Sequence, residues 1–233
     1  MRMFARHRSA IDPRTQIPPA GLLPYRPKRA QPYLYSDKEI EALLCAALKL
    51  PADGGLRPWT YHCLFGLLSV SGLRVGEAQN LELQDVDLQA GVLTIRGTKF
   101  GKSRLVPMHA STRRVLADYI ARRERTWARR PVSSYLFVSN RGNRLDGGDI
   151  RRTFYLLSRQ IGLRGPSASR GPRLHDMRHG FASKTLLRWY RSGENAERRL
   201  PLLSAYLGHV HWREHLLVSE RHARVDARGD GAA

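Results

Sequence analysis

Apolar positions along the chain fall into runs of helical spacing, interrupted by one stretch that alternates. Ser36 followed by Glu39 is a capping-box signature, in which the hydroxyl accepts from an early helical amide and the carboxylate returns to the cap. Ile40, Leu43, Leu44, Ala47 and Leu48 then recur on one helical face. A second helix is expected over about 58–70, stopping near Gly72, and a third begins around Arg74. The pattern changes after Val86. Val92, Leu93, Thr94 and Ile95, then Leu105 and Val106 before Pro107, predict two short strands joined by a turn at Phe100, Gly101 and Lys102.

Helical spacing returns over 112–130, with Val115, Leu116, Tyr119 and Ile120 expected inward. A further strand is expected over 135–138 and a helix over 150–161. A loop rich in Gly, Pro, Ser and Arg, 162–173, leads into a helix over about 174–190. After a polar break, 191–199, a short apolar helix over 200–207 is ended by Gly208. Beyond Val218 no periodicity survives, and there is no repeat of fixed length. These elements predict an α+β fold that is mainly α, with a small antiparallel β-sheet.

Residues 1–34 mix Arg2, Arg6, Arg8, Arg14, Lys28 and Arg29 with Pro13, Pro18, Pro19, Pro24, Pro27 and Pro32, a composition that works against helix and sheet. The expected organisation is a basic, proline-rich arm or linker over 1–34, a folded domain over 35–213, and a patternless, disordered tail over 214–233.

Charge narrows the partner. Forty Lys and Arg against twenty Asp and Glu leave +20 and a pI near 11.0, which favours a polyanion and salt-dependent binding. Nucleic acid leads. An anionic membrane surface is the rival, but the apolar run 63–70 is too short to span a bilayer, and Met1–Ala10 lacks the apolar stretch of a signal peptide. Cys45 and Cys63 sit in apolar runs and are expected to be buried reduced thiols, which suits the cytoplasm.

Breaking a phosphodiester needs cations on its non-bridging oxygens, an acid for the leaving sugar oxygen, and a nucleophile in line. Arg74 stands where a loop meets a helix, and Glu77 three residues on could hold its guanidinium or form a surface pair. His175 and Arg178 share one helical face, so a proton-shuttling imidazole and a phosphate-binding fork could act together. Lys99 at the edge of the β-turn could serve as the acid. His209, just after Gly208, could donate to a phosphate oxygen or cap the helix. His211, His215 and His222 lack partners at metal-ligand spacing, so neither a metal nor another cofactor is expected.

In combination these residues resemble the catalytic domain of tyrosine recombinases, the phage integrase family of DNA breaking and rejoining enzymes. The resemblance is carried by SGLRVGEAQNLELQDVDL around Arg74, TKFGKSRLVPM around Lys99, LHDMRHGFAS around His175 and Arg178, and LSAYLGH ending at His209. It implies a helical recombinase catalytic domain acting on double-stranded DNA beside other recombinase protomers, without membrane attachment, in the cytoplasm and associated with the nucleoid. Arg74 and Arg178 would clamp the scissile phosphate, Lys99 would protonate the leaving 5′ oxygen, His175 would assist proton transfer, and His209 would steady the transition state. Arg104 and Lys102, on the hairpin, would contact DNA in its minor groove.

The resemblance also implies a tyrosine nucleophile nine residues beyond the second histidine, and that position holds Val218. No tyrosine follows Tyr206. A one-base shift of a synonymous coding of 214–225 reads NTYWYLSATPEL, close to the family's run, with a tyrosine codon at position 218. A frameshifted tail is therefore expected, and with it loss of the covalent step. The proline-rich start further implies a chain that begins inside a longer ancestral gene. The alternatives are a non-catalytic DNA-binding protein that occupies recombination sites or modulates an intact recombinase, and a generic basic nucleic-acid or ribosome-associated protein.

Overall fold

The structure, a computed structural model, describes residues 2–19, 32–97, 103–168 and 170–208. The chain divides into two units, Met1–Gln31 and Pro32–Ala233. In the first, Arg2–Ser9 forms a helix, α1, with no buried residue. This corrects the expectation of a helix-free arm. The prolines start only at Pro13, and basic residues in the last turn, Arg6, His7 and Arg8, suit the negative end of the helix dipole.

The second unit opens with α2, Asp37–Leu48. Ser36 closes the expected capping box: the Glu39 amide donates to its hydroxyl and its own amide donates to Glu39. α3, Arg57–Ser71, is buried along much of its length and packs against α2, α5 and α7. It ends at Gly72, whose φ of 62° is the left-handed cap that glycine adopts without strain. α4, Val75–Gln79, follows at once, and a 3-10 turn, Leu83–Asp85, leads into the sheet.

The sheet is antiparallel with order β1-β2-β3: Val86–Asp87, Val92–Ile95 and Arg104–Pro107. Leu93 faces Val106 across the second ladder, and Leu93, Ile95 and Val106 are buried while Leu105 is exposed, the alternation a one-sided sheet requires. β1 was not expected. The turn at Phe100, Gly101 and Lys102 lies outside the described residues.

α5 spans Ala110–Trp127, α6 Gly147–Gln160, α7 Leu174–Arg191 and α8 Ala196–Leu207. Asp146 and Asn195 cap α6 and α8, so both start earlier than apolar spacing suggests. The core gathers Leu43, Leu64, Phe65, Leu68, Phe137 and Phe154, and a smaller cluster joins α7 to α8.

Four further expectations are corrected. The stretch 135–138 forms isolated bridges and no strand, because its carbonyls bind side chains: Tyr135 O accepts from Arg123 and Leu136 O from Tyr119. Val115 is exposed, since α5 buries the face of Leu116, Tyr119, Arg123 and Trp127. Leu48 is exposed at the end of α2. Cys63 is buried as expected and burial pushes its thiol up to about 12, but Cys45 is exposed on the open side of α2.

Candidate active site

Three guanidinium groups from distant segments come together, two of them on one carboxylate. Arg74 is the extended residue (φ −71°, ψ 148°) between the Gly72 cap and α4. The turn there is tight: a Cβ on Gly72 would lie 2.6 Å from Phe181 Cδ1 on α7. Glu77, one turn into α4, receives the Arg74 amide on Oε2 (2.8 Å) and Arg74 Nη1 on Oε1 (2.8 Å). Arg104, the first residue of β3, donates to the same carboxylate through Nη1 (3.0 Å) and Nη2 (2.7 Å).

The end of α8 supplies the other side of the cluster. Arg74 Nη2 donates to Gly208 O at 3.0 Å. Arg178, buried on α7, donates to Gly72 O (2.7 Å) and Leu207 O (2.5 Å), tying the ends of α3 and α8 to one side chain. Gly208 has φ 65°, and a Cβ there would meet Arg104 Nη1 at 3.0 Å. Arg74, Arg104 and Arg178 are therefore brought together, with Gly208 at the end of α8 beside them.

Three positive charges against one negative make the pocket an unfinished ion cluster. Burial opposes ionisation of Glu77, but hydrogen bonds and charge from Arg104, with the amide and guanidinium of Arg74, outweigh it and hold the carboxyl at about 2. Burial, then the nearby Arg74 charge, bring Arg178 down to about 9, with Glu77 offsetting and Arg104 adding. Arg178 stays charged at neutral pH. An anion with two or more charge-bearing oxygens would complete the balance.

His175 sits in the first turn of α7, three residues before Arg178. Asp176 beside it is buried and binds Arg173 through the backbone amide (2.9 Å) and Nη2 (2.8 Å), which fixes the start of the helix. The His175 ring stands edge-to-face with His179 at 4.9 Å. It borders a cavity of about 340 Å³ walled by Val75, Phe154, Tyr155, Arg173 and Leu174. Desolvation, then the charge of Arg178, lowers its pKa, with smaller contributions from Arg173 and Arg74. His175 is exposed at its open edge. A neutral imidazole at pH 7 is a proton acceptor in waiting.

Lys99, Lys102 and His209 lie outside the described residues, as does Val218. Arg104, expected to reach outward from the hairpin into a groove, instead points inward onto Glu77, with its side chain 12% exposed. Two buried hydrogen bonds to a carboxylate outweigh solvation of the guanidinium. Sequence spacing suggested the bond of Glu77 to Arg74 but not its bonds to Arg104, which only tertiary pairing of α4 with β3 creates. Tyr206, on α8, donates to Ser71 O at 3.1 Å and stacks on Phe181.

Among the described residues no helix is long and apolar enough to cross a membrane. The sequence profile described as the Phage integrase family matches residues 35–212. An integrase/recombinase of Sinorhizobium fredii is 68% identical over 214 residues, covering 91% of this chain and 68% of that protein. The tyrosine recombinase XerC of Thermodesulfovibrio yellowstonii is 34% identical over 143 residues, 60% of this chain and 43% of that one. The crystal structure of XerA recombinase superposes with a TM-score of 0.66 at 25% identity, covering 88% of this chain and 67% of that chain. With that profile spanning the whole segment that builds the arginine cluster, the chain belongs to the phage integrase family of tyrosine recombinases.

Proposed function

We propose that this chain binds double-stranded DNA and holds one backbone phosphate between Arg74 and Arg178, the geometry for breaking and rejoining a strand, in the cytoplasm at the nucleoid. The observation that carries the reading is the meeting of Arg74 and Arg104 on a single carboxylate beside Arg178, which is anchored on the carbonyls of Gly72 and Leu207, with His175 one turn from Arg178. The excess positive charge matches a phosphate whose charge rises as a fifth oxygen approaches. Glu77 and Arg104 orient Arg74. His175 is placed to move a proton, Lys99 to protonate the 5′ oxygen, and His209 to donate to a non-bridging oxygen. Lys102, on the hairpin, supplies a DNA contact. No step asks for a metal or another cofactor.

In a complete site a tyrosine oxygen would attack phosphorus, forming the P–O bond to the protein as the bond to the 5′ oxygen breaks and that oxygen takes a proton. Position 218 carries valine, and a hydrocarbon cannot attack. Tyr206 does not substitute, because its hydroxyl is committed to Ser71. This favours a second reading: a DNA-binding protein that occupies recombination sites, or joins other recombinase protomers on them, without cutting. In that reading residues 1–34 are a basic arm, 35–213 the folded domain and 214–233 an aberrant tail.

One experiment separates the two. Sites are first selected from a random duplex library, then rebuilt as nicked suicide substrates that trap a covalent intermediate. Binding without a protein–DNA adduct is the expected result. An adduct would overturn the non-cutting assignment, and failure to select any duplex would overturn DNA binding itself.

A further inference from the structure

Arg173, Leu174 and His175 form one wall of the 340 Å³ cavity, so on that side the start of α7 has open space in front of it. Among the described residues no hydrogen bond holds the His175 ring, whose aromatic contact is with His179 on the same helix. The imidazole therefore goes where the first turn of α7 takes it.

Behind that wall the backbone is tied to a residue 138 positions away. The carbonyl of Arg173, the cap of α7 (φ −124°, ψ 153°), accepts from the Asp176 amide at 2.9 Å and from the hydroxyl of Tyr35 at 3.0 Å. Tyr35 is buried just ahead of the Ser36 capping box that starts α2, and its ring meets Tyr33 edge to face. Lys184 of α7 pairs with Asp37, the first residue of α2, so a second bond joins the two helices. Burial first, then the Asp176 carboxylate, push the Tyr35 phenol's pKa up, which keeps its hydroxyl a donor. One residue before the cap, buried Arg164 donates to Pro172 O at 2.7 Å. The approach to His175 is thus held at two successive carbonyls. Because Arg173 O already accepts a helix bond, the Tyr35 hydroxyl is not needed to satisfy it. Its effect is to fix where the turn lies.

We propose that Tyr35 is a positioning residue for His175, its hydroxyl holding the first turn of α7 so that the imidazole and Arg178 act on one phosphate. This rests on the reading of His175 as the group that moves a proton there. Without the hydroxyl, Arg173 O keeps its bond to the Asp176 amide and the helix still forms. Its first turn gains freedom, however, and the imidazole with it, and catalytic geometry tolerates little displacement.

The test is an NMR titration of His175 in the full chain, its resonance being the one that His175→Gln removes. Burial, Arg178, Asp176, Arg173 and Arg74 set its midpoint, so the midpoint reports where the ring lies. Tyr35→Phe keeps the ring and drops one hydroxyl. Tyr119→Phe does the same in α5, where the lost bond is to Leu136 O, and serves as the control. Tyr35→Phe should raise the His175 midpoint toward 6.5, a change of about twofold or more in the acid constant, and Tyr119→Phe should leave it at the parent value. An unchanged midpoint in Tyr35→Phe overturns the proposal. An equal move in both variants overturns it too, since that is a general loosening of the fold. These arms need no DNA, so a duplex selected as above tests the underlying reading separately. It should move the His175 resonance of the parent chain. A duplex that binds the parent and leaves that resonance in place would take His175 away from the phosphate and overturn the proposal whatever the midpoints show.

Discussion

Arg104 lays both terminal nitrogens on the carboxylate of Glu77, across 27 residues of sequence, and Arg74 shares one of the same oxygens. A single anion thus links the start of β3 to the start of α4. Glu77→Ala would leave Arg104 a mostly buried cation without its counter-charge, and removing one partner of a buried pair costs about 3–5 kcal/mol. Urea unfolding should show a loss of that order. An unchanged midpoint would mean that solvent already screens the pair.

The same carboxylate sets an acid limit. Its pKa lies near 4.5 when free and at about 2 in the fold, so the unfolded chain takes up its proton first as the pH falls. The stabilisation is complete above the unfolded value and disappears as the pH drops through the folded one. That difference corresponds to roughly 3 kcal/mol. Subtracting the stability–pH curve of Glu77→Gln from that of the parent should isolate a rise of this order between the two values, whereas parallel curves would contradict the assignment.

Much of the fold was legible because local chemistry announced it. Ser36 and Glu39 fixed the start of α2, Gly72 the end of α3, and alternation at 92–95 a one-sided strand. The stretch 135–138 misled because its β-forming residues satisfy their carbonyls with Arg123 and Tyr119, which no local pattern records. The site divides the same way. His175 and Arg178 were legible as one helical face. The inward turn of Arg104 was not, since a hairpin arginine reads as solvent-facing until the carboxylate it meets is known.

Gly208 should be intolerant of a side chain for two independent reasons. Its φ of 65° strains any L residue by about 1 kcal/mol, and a Cβ would meet Arg104 Nη1 at 3.0 Å and Arg74 Nη1 at 3.7 Å. Gly208→Ala is therefore expected to destabilise the chain by about 1–2 kcal/mol and to weaken DNA binding beyond what stability explains. Gly162→Ala is the control, because it has φ 77° and open space around its Cβ. Equal DNA affinity in the two variants would show that strain alone acts at Gly208.

The His175 pKa is lowered from its ordinary 6.5, first by desolvation and then by Arg178. The unfolded chain binds the proton more readily, so this residue subtracts stability as the pH falls below 6.5 and is neutral in effect above it. His175→Gln should flatten that part of the stability curve. Titration of the imidazole by NMR should place its midpoint below the ordinary histidine value of 6.5. A midpoint at or above the ordinary value would mean that a carboxylate, Asp176 being nearest in sequence, dominates over the arginines.

If the tail is a shifted reading of a family segment, restoring it should restore chemistry. Replacing residues 214–225 by NTYWYLSATPEL puts a phenol at position 218, nine residues after His209. Arg74, Arg104 and Arg178 are already brought together without that segment. A nicked suicide duplex should then yield a covalent adduct that the parent chain does not form, lost when phenylalanine takes the new phenol's place. Adding Arg178→Ala to the repaired chain should slow adduct formation by about 10²–10³, the usual cost of one donor to a developing oxyanion. A repaired chain that binds the duplex as tightly as the parent yet forms no adduct would show that the replacement does not bring its phenol in line with the phosphate, and the shifted-frame account of the tail would fall with it.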